Sequence, residues 1–251
     1  MSQESRQVYP DADALAQGAA GDLLRVAQQS VAERGIFTLA LAGGSTPRKL
    51  YGLLASDPAF RDFPWDKTHL FFGDERHVPP SHIDSNYLMV SNTLLASGLV
   101  PAAHVHRVRA ELPDAHMAAL DYDVELHTFF TPSAQLKGFP RFDVILLGMG
   151  PDGHTASLFP GSKGLEEKER WVIANWVEKF NSARITFTFP VLNAARNVFL
   201  LVAGADKADM LREVLVTNRP ALYPVQRVQP LDGAKVWLLD NAAAAQLPQT
   251  I

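Results

Sequence analysis

Residues 143–162, DVILLGMGPDGHTASLFPGS, place Asp152 and His154 two positions apart in a glycine-rich turn. An imidazole, with an ordinary pKa of about 6.5, is the side chain best suited to take a proton near neutral pH. The plainer reading of a single His after glycines is a turn or capping residue, so the pair gains weight only from other segments. Gly43-Gly44-Ser45-Thr46-Pro47 offers close backbone approach and two hydroxyls where a helix begins, a combination that suits a phosphate. Helix capping by Thr46 explains one Thr, but it does not require Gly-Gly-Ser as well. Asp74-Glu75-Arg76 supplies a guanidinium that can grip a phosphate or carboxylate through two parallel hydrogen bonds. Asp74 and Glu75 can orient it or handle a proton, although such a triplet alone reads as a solvated charge cluster. Lys207 and Arg184 are further cations open to a phosphate role, against the plainer readings of a first-turn lysine and an edge-strand charge.

Buried strands must bring these residues together. The run 144–147, Val-Ile-Leu-Leu, is short, β-prone and bounded by glycine, as a strand covered on both faces is. Similar composition predicts strands over 36–42, 67–73, 171–177, 184–189, 197–203 and 236–239, with a short one over 104–108. Helical spacing predicts 11–34, closed by Gly35, then 48–56 with Thr46 as cap, 85–97, 114–130, 190–195 and 206–216. The segment 74–80 reads as a loop, since Pro79 and Pro80 stop either regular structure. Alternating strands and helices imply an α/β fold, a mostly parallel sheet with helices on both faces. The pair 171–177 and 184–189 lacks a long helix between its members, so it is antiparallel or an excursion at the sheet edge. No repeat or linker divides the chain, which reads as one domain over 1–251. In a parallel sheet the carboxyl ends of the strands lie along one edge, where ligands collect.

Composition narrows the classes. With 251 residues, 47% of them hydrophobic, the chain can bury a sizeable core. A net charge of −4 gives no footprint for nucleic acid. The absence of cysteine excludes disulfides, thiolate metal sites and a cysteine nucleophile. No signal-peptide core and no long apolar run are present, so no membrane partner is expected and a cytoplasmic location is the default. His69, His82, His104, His106, His116 and His127 show no metal-ligand pattern and read as surface or structural. No metal and no cofactor are expected. A homo-oligomer is left open. Gly148-Met149-Gly150-Pro151-Asp152-Gly153 spells the dinucleotide fingerprint in letters, but Pro151 and the missing acidic residue after a following strand argue against a nicotinamide site.

Four segments carry a resemblance: LALAGGSTPRKLY (39–51), FFGDERHVPPSHIDSNY (71–87), DVILLGMGPDGHTASLFPGS (143–162) and VFLLVAGADKADML (198–211). Together, and in this order, they resemble the 6-phosphogluconolactonase family, the lactone hydrolases of the oxidative pentose phosphate pathway. The third is the most specific. The resemblance implies a single modified doubly wound (Rossmann-like) domain, like that of glucosamine-6-phosphate deaminase, and a sugar-phosphate lactone as substrate. The deaminase pattern carries a glutamate five residues beyond the His, where this chain has Phe159. Phenylalanine cannot relay a proton, which favours hydrolysis over deamination. The chain departs from the family at Lys179-Phe180-Asn181-Ser182-Ala183, where similar lactonases often carry prolines.

The mechanism implied is metal-independent activation of water by His154, with Asp152 or Asp74 in support. Arg76 serves the phosphate or the oxyanion, and backbone N–H groups of the 148–153 turn add to the oxyanion site. Gly43, Gly44, Ser45, Thr46, Arg184 and Lys207 are the phosphate candidates. Ser157 as a nucleophile is the runner-up chemistry, though the exposed-serine elbow motif is missing. The competing classes are a sugar-phosphate deaminase or isomerase, and a sugar-phosphate sensor. Against the sensor, only about 35 residues precede the first strand read here, and they are not basic.

Overall fold

The computed structural model describes residues 3–130, 135–216 and 222–248. The termini of the single-domain reading over 1–251 therefore lie outside the described residues, as do 131–134 and 217–221. The chain begins with a strand, β1 (Gln3–Tyr9), and then α1 (Ala12–Arg34). The Asp11 carboxylate accepts from the N–H groups of Asp13 and Ala14, and Gly35 closes the helix at φ 77. Leu15, Ala19, Leu23, Val26 and Ala27 recur every three or four residues and are buried along one stripe. Next come β2 (Phe37–Leu41), α2 (Ser45–Ser56), β3 (Thr68–Phe72), β4 (Asp74–Arg76), α3 (Asn86–Thr93), β5 (Val105–His106) and α4 (Ala115–Phe130). A small ribbon, β6 (Gln135–Leu136) with β7 (Phe139–Pro140), precedes β8 (Val144–Leu147). The remainder is β9 (Val172–Val177), β10 (Ser182–Phe187), α5 (Phe189–Ala194), β11 (Asn197–Val202), α6 (Ala208–Leu215), β12 (Ala234–Asp240) and α7 (Asn241–Ala244).

The main sheet has seven strands in the order β1-β12-β11-β8-β2-β3-β5, and every neighbouring pair is parallel. From β2 the chain moves outward through β3 to β5; from β8 it moves the opposite way through β11 to β12. The reversal therefore falls between β2 and β8, which are buried at every residue. Helices α1 and α2 pack on each other, and α1 also packs against β1, β2 and β12. A second sheet, β4-β10-β9, is antiparallel, and α4 packs against its strands β9 and β10.

Three readings need correction. The strand over 36–42 is not the first, because β1 pairs in parallel with β12 at the sheet edge. Its side chains are mostly exposed, so it carries no apolar alternation to read. Asp74-Glu75-Arg76 is a strand rather than a loop, paired with residues 184–186 more than a hundred positions later. The helix placed at 48–56 starts at Ser45, and its N-cap is Gly44 with no side-chain hydrogen bond, so Thr46 does not cap it. Of the two readings left open for the pair after residue 170, the antiparallel one holds, and the pair lies in the second sheet.

His69, His104 and His106 are structural. Their rings stack at the β3–β5 edge, with His69 Nδ1 2.9 Å from His106 Nε2. Burial and the two neighbouring imidazoles push His69 down to about 4, so it is neutral at pH 7. No helix among the described residues is long and apolar enough to cross a membrane.

Opposite the carboxyl ends, one carboxylate ties the central strands together. Buried Asp143 accepts from Thr38 N at 2.9 Å, Thr38 Oγ1 at 3.0 Å and Arg34 Nη2 at 2.9 Å, with Arg196 Nε 3.3 Å away. Its own carbonyl accepts from Asn197 Nδ2 at 2.9 Å, so β8 is held to both neighbours and to α1. Asp143→Ala strands the Thr38 N–H and should lower unfolding stability by roughly 2–3 kcal/mol, the arginines being exposed enough to find water. Urea titration of the purified variant measures this, and a loss below about 0.5 kcal/mol would show the carboxylate to be dispensable.

Candidate active site

Beyond β2 the chain runs through Ala42-Gly43-Gly44 into α2. Tyr51, fully buried on that helix, donates its hydroxyl to Ala42 O and accepts from Ala42 N, both at 2.9 Å. Burial pushes its hydroxyl pKa up, so it remains a neutral clamp. A Cβ on Gly43 would lie 2.0 Å from Asn86 Oδ1, so a side chain here would push Asn86 away from its bond to Asp74 O. Because α2 has no side-chain cap, its first-turn N–H groups are available to an anion.

Beyond β3, the alternation of β4 turns Asp74 and Arg76 to one face and Glu75 to the other. Glu75 is buried and accepts from the N–H groups of Arg76, Asn86 and Tyr87 and from Ser85 Oγ. Burial pushes its carboxyl up, while those N–H bonds pull it back. It anchors the start of α3 and is not free to orient Arg76. Asp74 accepts from Ser157 Oγ at 2.6 Å, and its carbonyl accepts from Asn86 Nδ2 at 2.9 Å. Ser157 is buried with its hydroxyl committed to Asp74 rather than to an imidazole, which removes the basis for a serine nucleophile.

Arg76 stands directly opposite Arg184 across the β4–β10 pair. Both Nε atoms are buried and lack a hydrogen-bond partner among the described residues. Arg76 also donates to Asp84 O. Burial, then the charge of Arg76, holds the Arg184 guanidinium below its ordinary pKa. Like charges facing across a strand pair destabilise it unless an anion lies between them.

Beyond β8 the turn is closed by its own hydrogen bonds: Gly150 N to His154 O at 2.9 Å, Gly153 N to Gly150 O at 3.0 Å, and Thr155 Oγ1 to Gly148 O at 2.8 Å. The N–H groups of Gly150 and Gly153 are thus already engaged, which narrows the oxyanion candidates to the turn's other N–H groups. A Cβ on Gly150 would fall 2.0 Å from the His154 ring, so the imidazole lies close against the turn. Its ring stacks on Phe159, with centroids 4.0 Å apart at 23°. His154 Nδ1 is 2.5 Å from Asp152 Oδ1, and Lys179 Nζ is 3.4 Å from Asp152 Oδ2. Between the two carboxylates left open above, Asp152 is the one in contact with the imidazole.

Burial pushes the His154 pKa down, and the hydrogen bond and charge of Asp152, with the charge of Asp74, offset only part of this. For Asp152, burial pushes upward but His154 and Lys179 outweigh it, leaving the carboxyl below its ordinary value. At neutral pH the pair is an ionised carboxylate accepting Nδ1–H from a neutral imidazole, whose Nε2 has no partner among the described residues.

A cavity of about 270 Å³ collects Gly43, Gly44, Asp74, Arg76, Asn86, His154 and Lys207 along its wall. Ser45, Thr46, Asp152 and Arg184 do not line it. Ser45 and Thr46 open α2 beside it, Asp152 stands behind His154, and Arg184 stands beside Arg76. Lys207 Nζ is 2.8 Å from the exposed carboxylate of Asp206. Gly204 at the head of that segment is held by both Asp240 oxygens. Asn86 was missed in the sequence. Its signal is a polar side chain directly after the Ser85 cap, where the helix gains nothing from it. Among the described residues no group of three or more His, Cys, Asp or Glu is placed to hold a metal ion.

Known proteins share this chain's sequence and fold over nearly its whole length. The sequence model described as glucosamine-6-phosphate isomerases/6-phosphogluconolactonase matches residues 10–237. A 6-phosphogluconolactonase of Nostoc sp. is 41% identical over 242 residues, 96% of this chain and 97% of that one. One of Synechocystis sp. is 42% identical over 220 residues, 87% and 88% of the respective chains. The solved structure of 6-phosphogluconolactonase from Trypanosoma cruzi superposes with a TM-score of 0.87 at 28% identity, covering 99% of this chain and 98% of its own. On this match, the chain belongs to the glucosamine-6-phosphate isomerase/6-phosphogluconolactonase family and groups with its 6-phosphogluconolactonases.

Proposed function

We propose that the chain hydrolyses 6-phospho-D-glucono-1,5-lactone to 6-phosphogluconate, with His154 as general base and one domain carrying the whole site. The observation that carries this reading is a neutral imidazole, tied through Nδ1 to Asp152, in one cavity with Lys207 and Arg76. His154 Nε2 takes a proton from water as its oxygen bonds to the lactone carbonyl carbon. The tetrahedral oxyanion then collapses, the ring C–O bond breaks, and the imidazolium returns the proton to the departing ring oxygen. Asp152 stabilises the imidazolium between these steps, and Lys179 helps keep Asp152 ionised.

The entry to α2 at Gly43 to Thr46, Lys207 and the Arg76–Arg184 pair supply cationic and N–H partners for the 6-phosphate. That anchoring orients a substrate whose reacting end offers little to grip. Phe159 covers the His154 face with hydrocarbon, so a second proton carrier of the kind deamination requires is absent from that face. A cytoplasmic location accords with a phosphorylated substrate.

His154→Ala should lower turnover of freshly generated lactone by roughly 10²–10⁴-fold against spontaneous opening, while 6-phosphogluconate still binds. Near-normal turnover would remove His154 from the role. Lys207→Ala should raise KM about tenfold, and Thr46→Val, which keeps its N–H, by no more than about fivefold. Unchanged KM in both would overturn the phosphate assignment.

The pH profile follows from the imidazole. The base works only above its own pKa, which burial depresses, so the acid limb of kcat/KM should inflect below 6.5. Asp152 raises that pKa, so Asp152→Asn should move the limb to still lower pH while kcat falls. A limb that moves upward in this variant would contradict the arrangement.

A further inference from the structure

The tip of the β9–β10 hairpin reaches the site without lining its cavity. Val177 pairs with Ser182, and the connection is a single tight turn, Glu178–Phe180, ended by Asn181 at φ 46. Asparagine takes this left-handed conformation more readily than most side chains. The turn sends Lys179 toward Asp152 and places Phe180 between two parts of the site. The Arg184 guanidinium carbon lies 4.9 Å from the Phe180 ring centroid. The ring also meets Phe159 edge-on, with centroids 5.7 Å apart at 77°, and Phe159 is the ring stacked on His154.

Hydrophobic burial does not explain this placement, because Phe180 is 47% exposed. Arg184, in contrast, has the charges of Asp74, Asp84 and Glu75 near it, but they leave its pKa below the ordinary value. It faces a like charge at Arg76, and its Nε has no hydrogen-bond partner among the described residues. An aromatic face within about 6 Å attracts a guanidinium through the ring quadrupole. Lys179 Nζ lies farther from the same ring, at 5.7 Å, and is drawn toward Asp152.

We propose that Phe180 is a positioning residue for phosphate recognition, its ring face holding the Arg184 guanidinium beside that of Arg76 so that both address one phosphate group. The inference rests on the lactonase reading and adds to it a residue that touches neither the reacting atoms nor the phosphate. It also gives the family departure at 179–183 a consequence: without prolines, the turn is built on Asn181 and presents an aromatic ring.

The test uses the full chain and calorimetric titration with 6-phosphogluconate and with inorganic phosphate, beside steady-state hydrolysis of fresh lactone. Phe180→Leu keeps an apolar side chain but removes the quadrupole. It should weaken both ligands and raise KM by about 2- to 5-fold, with kcat unchanged. Phe180→Trp, a better platform, should restore wild-type values. In an Arg184→Met background, Phe180→Leu should add no further loss. Unchanged affinities in Phe180→Leu, failure of Phe180→Trp to restore them, or a full additional loss in the Arg184→Met background would each overturn the proposal. A wild type that neither hydrolyses the lactone nor binds 6-phosphogluconate would overturn the lactonase reading itself. A competent wild type matched by Phe180→Leu would overturn only the role of Phe180.

Discussion

The parallel pairing of β2 with β8 is the contact on which the site depends. Leu39 and Ala40 lie beside Val144 and Ile145, at the point where the chain's course across the sheet reverses. On either side of that point the connections run away from each other, leaving a crevice above the two carboxyl ends. Gly43 and Gly44 enter it from β2, the 148–154 turn from β8, Asp74 and Arg76 from beyond β3, and Lys207 from beyond β11. Asp143 fixes the opposite end of the same pair through Thr38. A slip of register there would move the glycine turn away from the uncapped start of α2, and the two halves of the site would no longer face one ligand.

Electrostatics then divides the crevice. On one side a neutral imidazole is kept neutral by burial and kept basic by an ionised carboxylate at its far nitrogen. On the other, two guanidiniums stand opposite each other with buried N–H groups unmet. The second arrangement weakens a folded chain and is hard to justify on stability alone. A bound anion between them would satisfy it. Local rules of folding are most often violated where a ligand supplies the missing partner.

Much of this was legible from sequence, for identifiable reasons. The central strands announce themselves as short apolar runs because both of their faces are covered. Gly35 marks the end of α1 because that backbone position suits glycine. The glycine segments after β2 and β8 and the cations Arg76, Arg184 and Lys207 were all identifiable by type and position. What failed was whatever depends on a partner far along the chain. β1 is polar because an edge strand needs little burial, and β4 is three residues long and becomes a strand only by meeting β10. The division of labour within Asp74-Glu75-Arg76 was hidden for the same reason: which residue faces α3 depends on where Asn86 and Tyr87 come to lie. Ser157 beside His154 suggested nucleophilic chemistry, but its hydroxyl meets Asp74, 83 positions earlier.

The ring of Phe159 shows how one scaffold can be confined to one reaction. Hydrolysis of a lactone needs a single proton carrier, because the proton taken from water returns to the ring oxygen at nearly the same place. A second carboxylate would add nothing to that cycle and, close to His154, would raise the imidazole pKa by its charge. An aromatic face has the opposite effects. It shields one face of the imidazole from water, holds its plane by stacking, and leaves Asp152 as the carboxylate in direct contact with it. The imidazole is thus set by what one face lacks as much as by what Nδ1 holds.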